Sequence, residues 1–517
     1  MDNQSQSVLE NNRRVLKNTM LLYIRMLFVM GVSLFTVRIV LKYLGVTDYG
    51  IYSVVGGVVM MMAFLSNSMS SATQRFFSFD LGRRDYESLR KTFSTSLFIY
   101  ILFSLIVLLI AETGGIWFLK NRLTLPADRL DAAIWTFQFS ILSFIVSIIT
   151  IPYNALIVAR EKMSTFAYFS VFEVIAKLVI AYVLSISVYD RLIVYSFLMF
   201  LITSIVFLLF RYFCVRQFSE SHIIYVYDKG LLKKLIGFTG WNLFGSIAGV
   251  FNNQGANIIL NIFFGPAVNG ARALSFQLSN SLNQFVTNFM LATRPQITKY
   301  YAKGEMSNMM NLVFTSSKFS FFLLMIFGIP ILLETNIILQ LWLNEVPAFV
   351  EIFTKLTIFI ALVDSLSYSL MTAAQATGNI KSYQAIVGTL LLLSLPISYV
   401  FFELHYPPYA VMIITLCVSI IALFARLFML KGMISLDILK YLKDVVLRIL
   451  LVFALSYFSI YFLSSYLGDG LLRVILVSFV SALLSISFIY FFGLNKKEKT
   501  FLKTTVNTLI QKYQFNK

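Results

Sequence analysis

Charge is scarce in this chain. Of 517 residues only 13% are charged and 24 are acidic, where an ordinary globular chain carries about 25% charge. So little charge excludes a large water-soluble body. Cysteine and histidine are almost missing: Cys214 and Cys417 lie far apart with no CxxC pattern, and His222 and His405 have no companions at ligand spacing. That excludes a disulfide framework and a metal site built on these residues. No GxxxxGK[ST] run occurs, so the chain does not carry its own phosphate-binding loop for ATP hydrolysis. No cofactor is expected, and no catalytic set. The longest outer connections, near 112–131 and 335–350, are too short for the catalytic loop of a membrane-embedded enzyme, and the expectation is a protein that is not an enzyme.

What the chain does have is apolar length. Hydrophobic residues make up 58% and the mean hydropathy is +0.80. Because a bilayer crossing needs roughly 20 apolar residues, spans are expected near 18–41, 51–74, 92–111, 132–158, 165–187, 192–213, 238–262, 271–293, 312–334, 351–374, 384–403, 409–430, 448–467 and 471–493. The expected fold is an all-α polytopic membrane protein of about 14 transmembrane helices. Its first apolar run is full-length and lacks a small-residue cleavage site, so it reads as a span rather than a removed signal peptide.

Positive charge orients the chain, since Lys and Arg stay on the cytoplasmic side. With the N-terminus inside, roughly 30 of the 42 basic residues fall in cytoplasmic segments, against about 5 outside. The net charge of +18 is thus a topology signal and not a nucleic-acid surface, which would need a soluble basic module with exposed aromatics. Both termini are expected in the cytoplasm of a bacterial inner membrane. The basic tail spaces Phe501, Leu502, Val506, Leu509 and Tyr513 as an interfacial helix would.

An internal repeat organises the chain. Leu44 to Gly50 after span one and Phe264 to Gly270 after span seven each hold two glycines five apart; Ala72-Thr73 answers Ala292-Thr293, and Glu112-Thr113 answers Glu334-Thr335. The offset is about 220 residues throughout. Six spans separate the copies, so both start on one side of the membrane, and two six-helix lobes related by an axis along the membrane normal are expected. The implied division is 1–213 for the first lobe, 214–237 for an amphipathic cytoplasmic linker, 238–430 for the second lobe, 431–493 for two additional helices and 494–517 for the tail.

Polar residues inside spans are costly and mark sites or interhelical bonds. Arg25 shares one helical stripe with Asn18 and Thr36. A guanidinium there can anchor a diphosphate through its planar fork, or merely bond to a neighbouring helix. Arg272 opens span eight. Span seven carries Gly245, Gly249, Asn253, Asn257 and Asn261 at a spacing of four; span eight answers with Gln277, Asn280, Gln284 and Asn288, and span two adds Asn67 and Gln74. Amides both donate and accept, so they suit sugar hydroxyls. The competing role is interhelical packing, with glycine permitting close approach. Lys318 in span nine and Asp364 in span ten lack local partners, and each can satisfy the other. Asp364 is also the candidate for a coupling ion.

The runs LGVTDYGIYSVVGGVV, SSATQRFFSFDLG, IPYNALIVAREKMS and GWNLFGSIAGVFNNQGANIILNIFFGPAVNGARAL resemble polysaccharide flippases of the Wzx type, within the multidrug/oligosaccharidyl-lipid/polysaccharide exporter superfamily. The resemblance covers the first twelve spans. It implies alternating-access transport of an undecaprenyl-diphosphate-linked oligosaccharide for O-antigen, capsule or a related envelope polymer. Expected partners are that lipid carrier, membrane lipids and polysaccharide polymerase or assembly proteins, with no nucleic acid. By position, Arg25 and Arg272 match the cavity arginines of relatives that move lipid diphosphates. Three other readings compete: a cation-coupled drug exporter of the same superfamily, a peptidoglycan-precursor flippase, and a membrane-embedded glycan polymerase or ligase. Drug exporters of the superfamily typically carry an acidic residue in span one or seven, and neither span here does.

Overall fold

The computed structural model describes residues 3–60, 63–121, 127–225, 228–343, 346–466, 470–496 and 498–500. The hydrophobic positions expected of the tail, from Phe501 to Tyr513, lie outside the described residues. Among the described residues the chain is all-helical and falls into two units, Lys17–Leu243 and the remainder from Phe244 onward with the first residues of the chain.

In the N-terminal unit, α1 (Asn3–Met60) and α2 (Ala63–Arg83) are followed by α3 (Tyr86–Ile110), α4 (Ile116–Asn121), α5 (Leu130–Ala159), α6 (Met163–Ile186) and α7 (Arg191–Gln217). Spans one and two were read as separate runs, yet α1 holds the first and the start of the second. The break between them is a kink at Gly45, whose φ of 81° and ψ of 166° only glycine adopts without strain. A column of rings holds the unit: Phe77 of α2 lies 5.9 Å from Phe93 of α3, Phe93 lies 5.2 Å from Tyr153 of α5, and Tyr153 lies 5.9 Å from Phe207 of α7. Lipid tails are as apolar as leucine, so helix association here comes from such packing and not from removal of water.

At one end of this unit Arg129 forks to two carboxylates. It donates to Asp48 in the hairpin after Gly45 and, at 2.5 Å, to Asp190, which also caps α7. Burial pushes the Asp190 carboxyl up, but the Arg129 hydrogen bonds and the backbone N–H groups of α7 outweigh it and leave the group below its ordinary value. At the far end of α2, beyond the span read over 51–74, Asp80 is buried and accepts from Thr92 at 2.9 Å. Burial pushes its carboxyl up to about 6 against the Thr92 and Ser88 hydrogen bonds. A raised folded value means that the stability linked to Asp80 is fully present below pH 3.8 and is lost as pH rises through about 6. The thermal midpoint of Asp80→Asn is therefore expected to exceed that of the parent above pH 6 and to meet it in acid; a constant difference across the range would exclude burial of the charge as the cause.

The C-terminal unit takes most of α8 (Lys229–Phe264) and continues with α9 (Pro266–Ala302), α10 (Met306–Leu333), α11 (Thr335–Leu343), α12 (Val350–Thr377), α13 (Lys381–Glu403), α14 (Ala410–Ile434), α15 (Ile438–Tyr441), α16 (Leu447–Ser464) and α17 (Leu471–Phe488). The repeat is written in its backbone. Gly265 before α9 has φ 78°, matching Gly45 at 81°, and Gly304 before α10 has φ 74°, matching Arg84 at 59° before α3. Leu130 and Val350 open α5 and α12 at the same offset.

The partner proposed for Lys318 is corrected. Lys318, only 2% exposed, pairs not with Asp364 but with Glu498 at 2.7 Å, and Thr315 donates to the other carboxylate oxygen at 3.0 Å. Glu498 also accepts from the Asn495 backbone at 2.8 Å while the Asn495 side chain accepts from the Glu498 N–H at 2.8 Å, a reciprocal helix cap. Sequence spacing cannot reveal this pair, because the carboxylate comes from 180 residues away. Arg473 of α17 donates to Glu334 at 2.9 Å.

Eleven described helices are long and apolar enough to cross a membrane. The expected spans seven and eight, carried by α8 and α9, do not meet that measure although they run 36 and 37 residues; the expected span two includes residues outside those described. Every candidate site residue except Arg25 and Asp364 sits on α2, α8 or α9.

Candidate functional site

The candidate residues separate into two constellations, one in each unit. In the N-terminal unit Arg25 is half-buried, with its guanidinium 4.6 Å from the centre of the Phe166 ring on α6. Glu173, on the same helix, lies within electrostatic reach and is itself paired with Lys177 at 2.5 Å. Asn18 and Thr36 are buried, so the stripe faces protein as expected, and Asn18 donates to the Glu161 carbonyl at 3.4 Å. The charge of Arg25 therefore has company from α6, while its Nε is buried without a partner. On α2, Asn67 is exposed, and Gln74 is buried with its Nε2 unpartnered.

In the C-terminal unit the structure joins residues that sequence spacing had placed on separate helices. Arg272 is 5% exposed and spans from α9 to α8, where it donates to the Asn257 side-chain oxygen and, at 3.4 Å, to that of Asn253. Its guanidinium lies 4.3 Å from the centre of Phe276. Asn269 donates to the Asn257 carbonyl at 2.9 Å, and both Asn269 Oδ1 and Arg272 Nε are buried without partners. Pro266 at the first turn of α9 and the left-handed Gly265 before it set the sharp reversal that brings Arg272 against α8. Along α9, Gln277, Asn280 and Gln284 are exposed on one side while Ser275, Leu282 and Val286 are buried on the other; Asn288 is half-buried and bonds back to the Gln284 carbonyl at 2.8 Å. The arrangement offers a cation whose bonding capacity is unfilled, next to a row of neutral amides.

The spacing of four in span seven is not one face. Each step of four advances about 40° beyond a full turn, and the drift divides the row. Gly245, Ala248, Asn252 and Gly255 form a seam on α13: a Cβ on Gly245 would strike Gln384, one on Gly255 would meet Leu395 at 2.6 Å, and Asn252 accepts from Ser394 at 2.8 Å. Asn253 and Asn261 are exposed and Asn257 half-buried on the next face. Packing against α13 thus accounts for one part of the row, and the exposed amides belong to another face. Gly255→Ala is expected to destabilise the unit by about 1–3 kcal/mol through overpacking, whereas Gly249→Ala, with nothing within 4 Å of its new Cβ, should be neutral or slightly stabilising; detergent thermal melts of the two variants decide it.

Asp364 of α12 lies within electrostatic reach of Arg426 on α14. Arg426 of α14, which the sequence reading did not single out, is 8% exposed and buried among helices.

Residues 22–183, within the N-terminal unit, match the MatE family model. Over a much larger part of the chain, solved structures share its fold: a MATE protein in its bent conformation aligns with a TM-score of 0.73 at 12% identity, covering 84% of this chain and 98% of that one. The fold is that of the MATE proteins. A multidrug resistance MATE family transporter of the MOP superfamily, in an outward-facing conformation, aligns at 0.68 with 14% identity over 81% of this chain and 96% of its own. A MOP superfamily transporter from Pyrococcus furiosus, for which reverse polarity of the binding pocket suggests a different function, also aligns at 0.68, with 13% identity and the same coverage. No curated protein sequence matches significantly. The MATE fold accounts for two six-helix lobes, and nearly complete coverage of these neighbours against 81–84% of this chain leaves a portion of this chain beyond them. The chain is a multi-pass membrane protein of that fold.

Proposed function

We propose that the protein is a flippase that carries a lipid-linked oligosaccharide across the bacterial inner membrane by alternating access, with both termini in the cytoplasm. The observation that carries the reading is Arg272, a buried guanidinium held by Asn253 and Asn257 with its Nε unfilled. A lipid diphosphate brings about two negative charges into a low-dielectric space and needs a cation to meet it. A guanidinium supplies that charge together with directional donors. The exposed amides Gln277, Asn280 and Gln284 can hold sugar hydroxyls while leaving no fixed charge to trap the cargo. Arg25 is the corresponding cation of the other unit, already shared with Phe166 and Glu173.

The second reading is a cation-coupled multidrug exporter. The multidrug resistance transporter among the structural neighbours favours it, and so does the intramembrane carboxylate Asp364. Against it stand the missing acidic residues of spans one and seven and a Pyrococcus furiosus relative of the same fold whose reverse pocket polarity suggests a different function. Expression in a strain lacking its own oligosaccharide flippase tests the two. Restored surface glycan supports the flippase, and increased drug tolerance without glycan replaces it with the exporter.

A further inference from the structure

Between Lys234 and Arg294 the chain carries one charged residue, Arg272, and from Lys229 to Ala302, across α8 and α9, it holds no carboxylate. The amides of this hairpin divide by what they already do. Asn253 and Asn257 accept from Arg272, Gln254 accepts from Asn257 at 3.1 Å, and Asn288 bonds back to the Gln284 carbonyl at 2.8 Å. Gln277, Asn280 and Gln284 are exposed, and among the described residues their side chains have no hydrogen-bond partner. At 3.6 residues per turn the three fall within an arc of about 60°, and at 1.5 Å per residue they rise over about 10 Å. Ser281 and Thr287 stand beside them, but their hydroxyls already donate to the Gln277 and Gln284 carbonyls at 3.0 and 3.1 Å. Thus α9 presents a short ladder of free amides with no charge on it, beginning about 8 Å along the helix from Arg272.

Amides facing hydrocarbon would be stranded, since lipid tails neither donate nor accept hydrogen bonds. The ladder needs water or a polar cargo in front of it. A sugar supplies hydroxyls that donate and accept, and each amide offers two donors and a carbonyl oxygen in return. A sugar carboxylate fits differently. It only accepts, so the amide carbonyls go unmatched, and its charge finds no cation on the ladder, because the guanidinium that could answer it is engaged by the diphosphate. Stripping water from an ion that meets no opposite charge weakens binding about a hundredfold or more. We propose that Gln277, Asn280 and Gln284 select the cargo by charge: the sugars carried nearest the diphosphate are uncharged, and an oligosaccharide with an acidic sugar there is refused. The inference rests on the flippase reading and narrows its cargo from any lipid-linked oligosaccharide to a neutral one.

The test measures binding to the purified full-length protein in detergent with three probes: a polyprenyl diphosphate without sugars, the same lipid carrying a disaccharide of glucose, and the same lipid with glucuronate in place of one glucose. The neutral disaccharide probe is expected to bind more tightly than the bare lipid, and the acidic probe about a hundredfold or more weakly than the neutral one. Gln277→Ala, Asn280→Ala and Gln284→Ala combined should weaken binding of the neutral probe about tenfold or more. Gln284→Arg, which puts a cation on the ladder, should bring the acidic probe to within about tenfold of the neutral one. Equal affinity of the parent for the neutral and acidic probes overturns the proposal whether or not any variant folds, and leaves the flippase reading intact. A well-folded triple-alanine variant that keeps the full preference for the neutral probe also overturns it, since the ladder would then not be the source of that preference. Failure of all three probes to bind overturns the flippase reading, and this inference with it.

Discussion

Arg272→Ala is expected to cut surface-glycan display sharply at unchanged protein level, because it removes a charge-assisted contact of about 1.5–3 kcal/mol, or about tenfold to a hundredfold in cargo binding. Removal also leaves the Asn253 and Asn257 oxygens without their donor. Arg272→Lys should restore only part, since an ammonium lacks the planar fork that reaches two amides at once. Arg25→Ala is expected to fall in the same direction by less, because Arg25 already shares its charge with the Phe166 ring and Glu173. Immunoblotting of membranes alongside glycan staining separates loss of function from loss of protein. Normal display by a well-expressed Arg272→Ala would remove the diphosphate anchor from the proposal.

The second large effect concerns Lys318 and Glu498. Both are largely buried and lie 2.7 Å apart, and removing one partner of a buried ion pair strands the other at a cost of about 3–5 kcal/mol. Lys318→Ala and Glu498→Ala should each lower the thermal midpoint of the purified protein by many degrees. Glu498→Ala should do so doubly, since it also removes one half of the helix cap with Asn495. Lys318→Met combined with Glu498→Gln should recover much of the loss, because replacing both charges leaves none uncompensated. Equal losses in the single and double variants would show that packing, not charge, holds this contact.

The errors of the sequence reading share one physical origin. Helical periodicity reports which residues share a face, and it placed Arg25 with Asn18 and Thr36 correctly against protein. The repeat was legible because turns need particular residues: the left-handed backbone at Gly45 and Gly265 constrains the amino acid wherever it falls. Partners across helices leave no such trace. Lys318 and Asp364 were matched as the two lone charges, while the carboxylate that Lys318 meets is Glu498, 180 residues away. The division of span seven into a packing seam and an amide face was likewise hidden, since it depends on which side α13 covers. Arg129 belongs with these: nothing local says that it forks to Asp48 and Asp190.

The polarity of α2, α8 and α9 has a consequence for how the chain is made. A helix entering lipid from the translocon is sorted largely by its own hydrophobicity, with asparagine, glutamine and arginine weighing against entry. The eleven apolar helices can partition as they emerge. The hairpin of α8 and α9 cannot rest in lipid as an independent pair, and its seam on α13 does not exist until some 120 residues later have been synthesised, about 6–24 seconds at ordinary elongation rates. During that interval the two polar helices must be sheltered from lipid, as an insertion factor would do. Substitutions that improve them as lipid-soluble helices would ease biogenesis by erasing the polar groups on which the proposed transport depends.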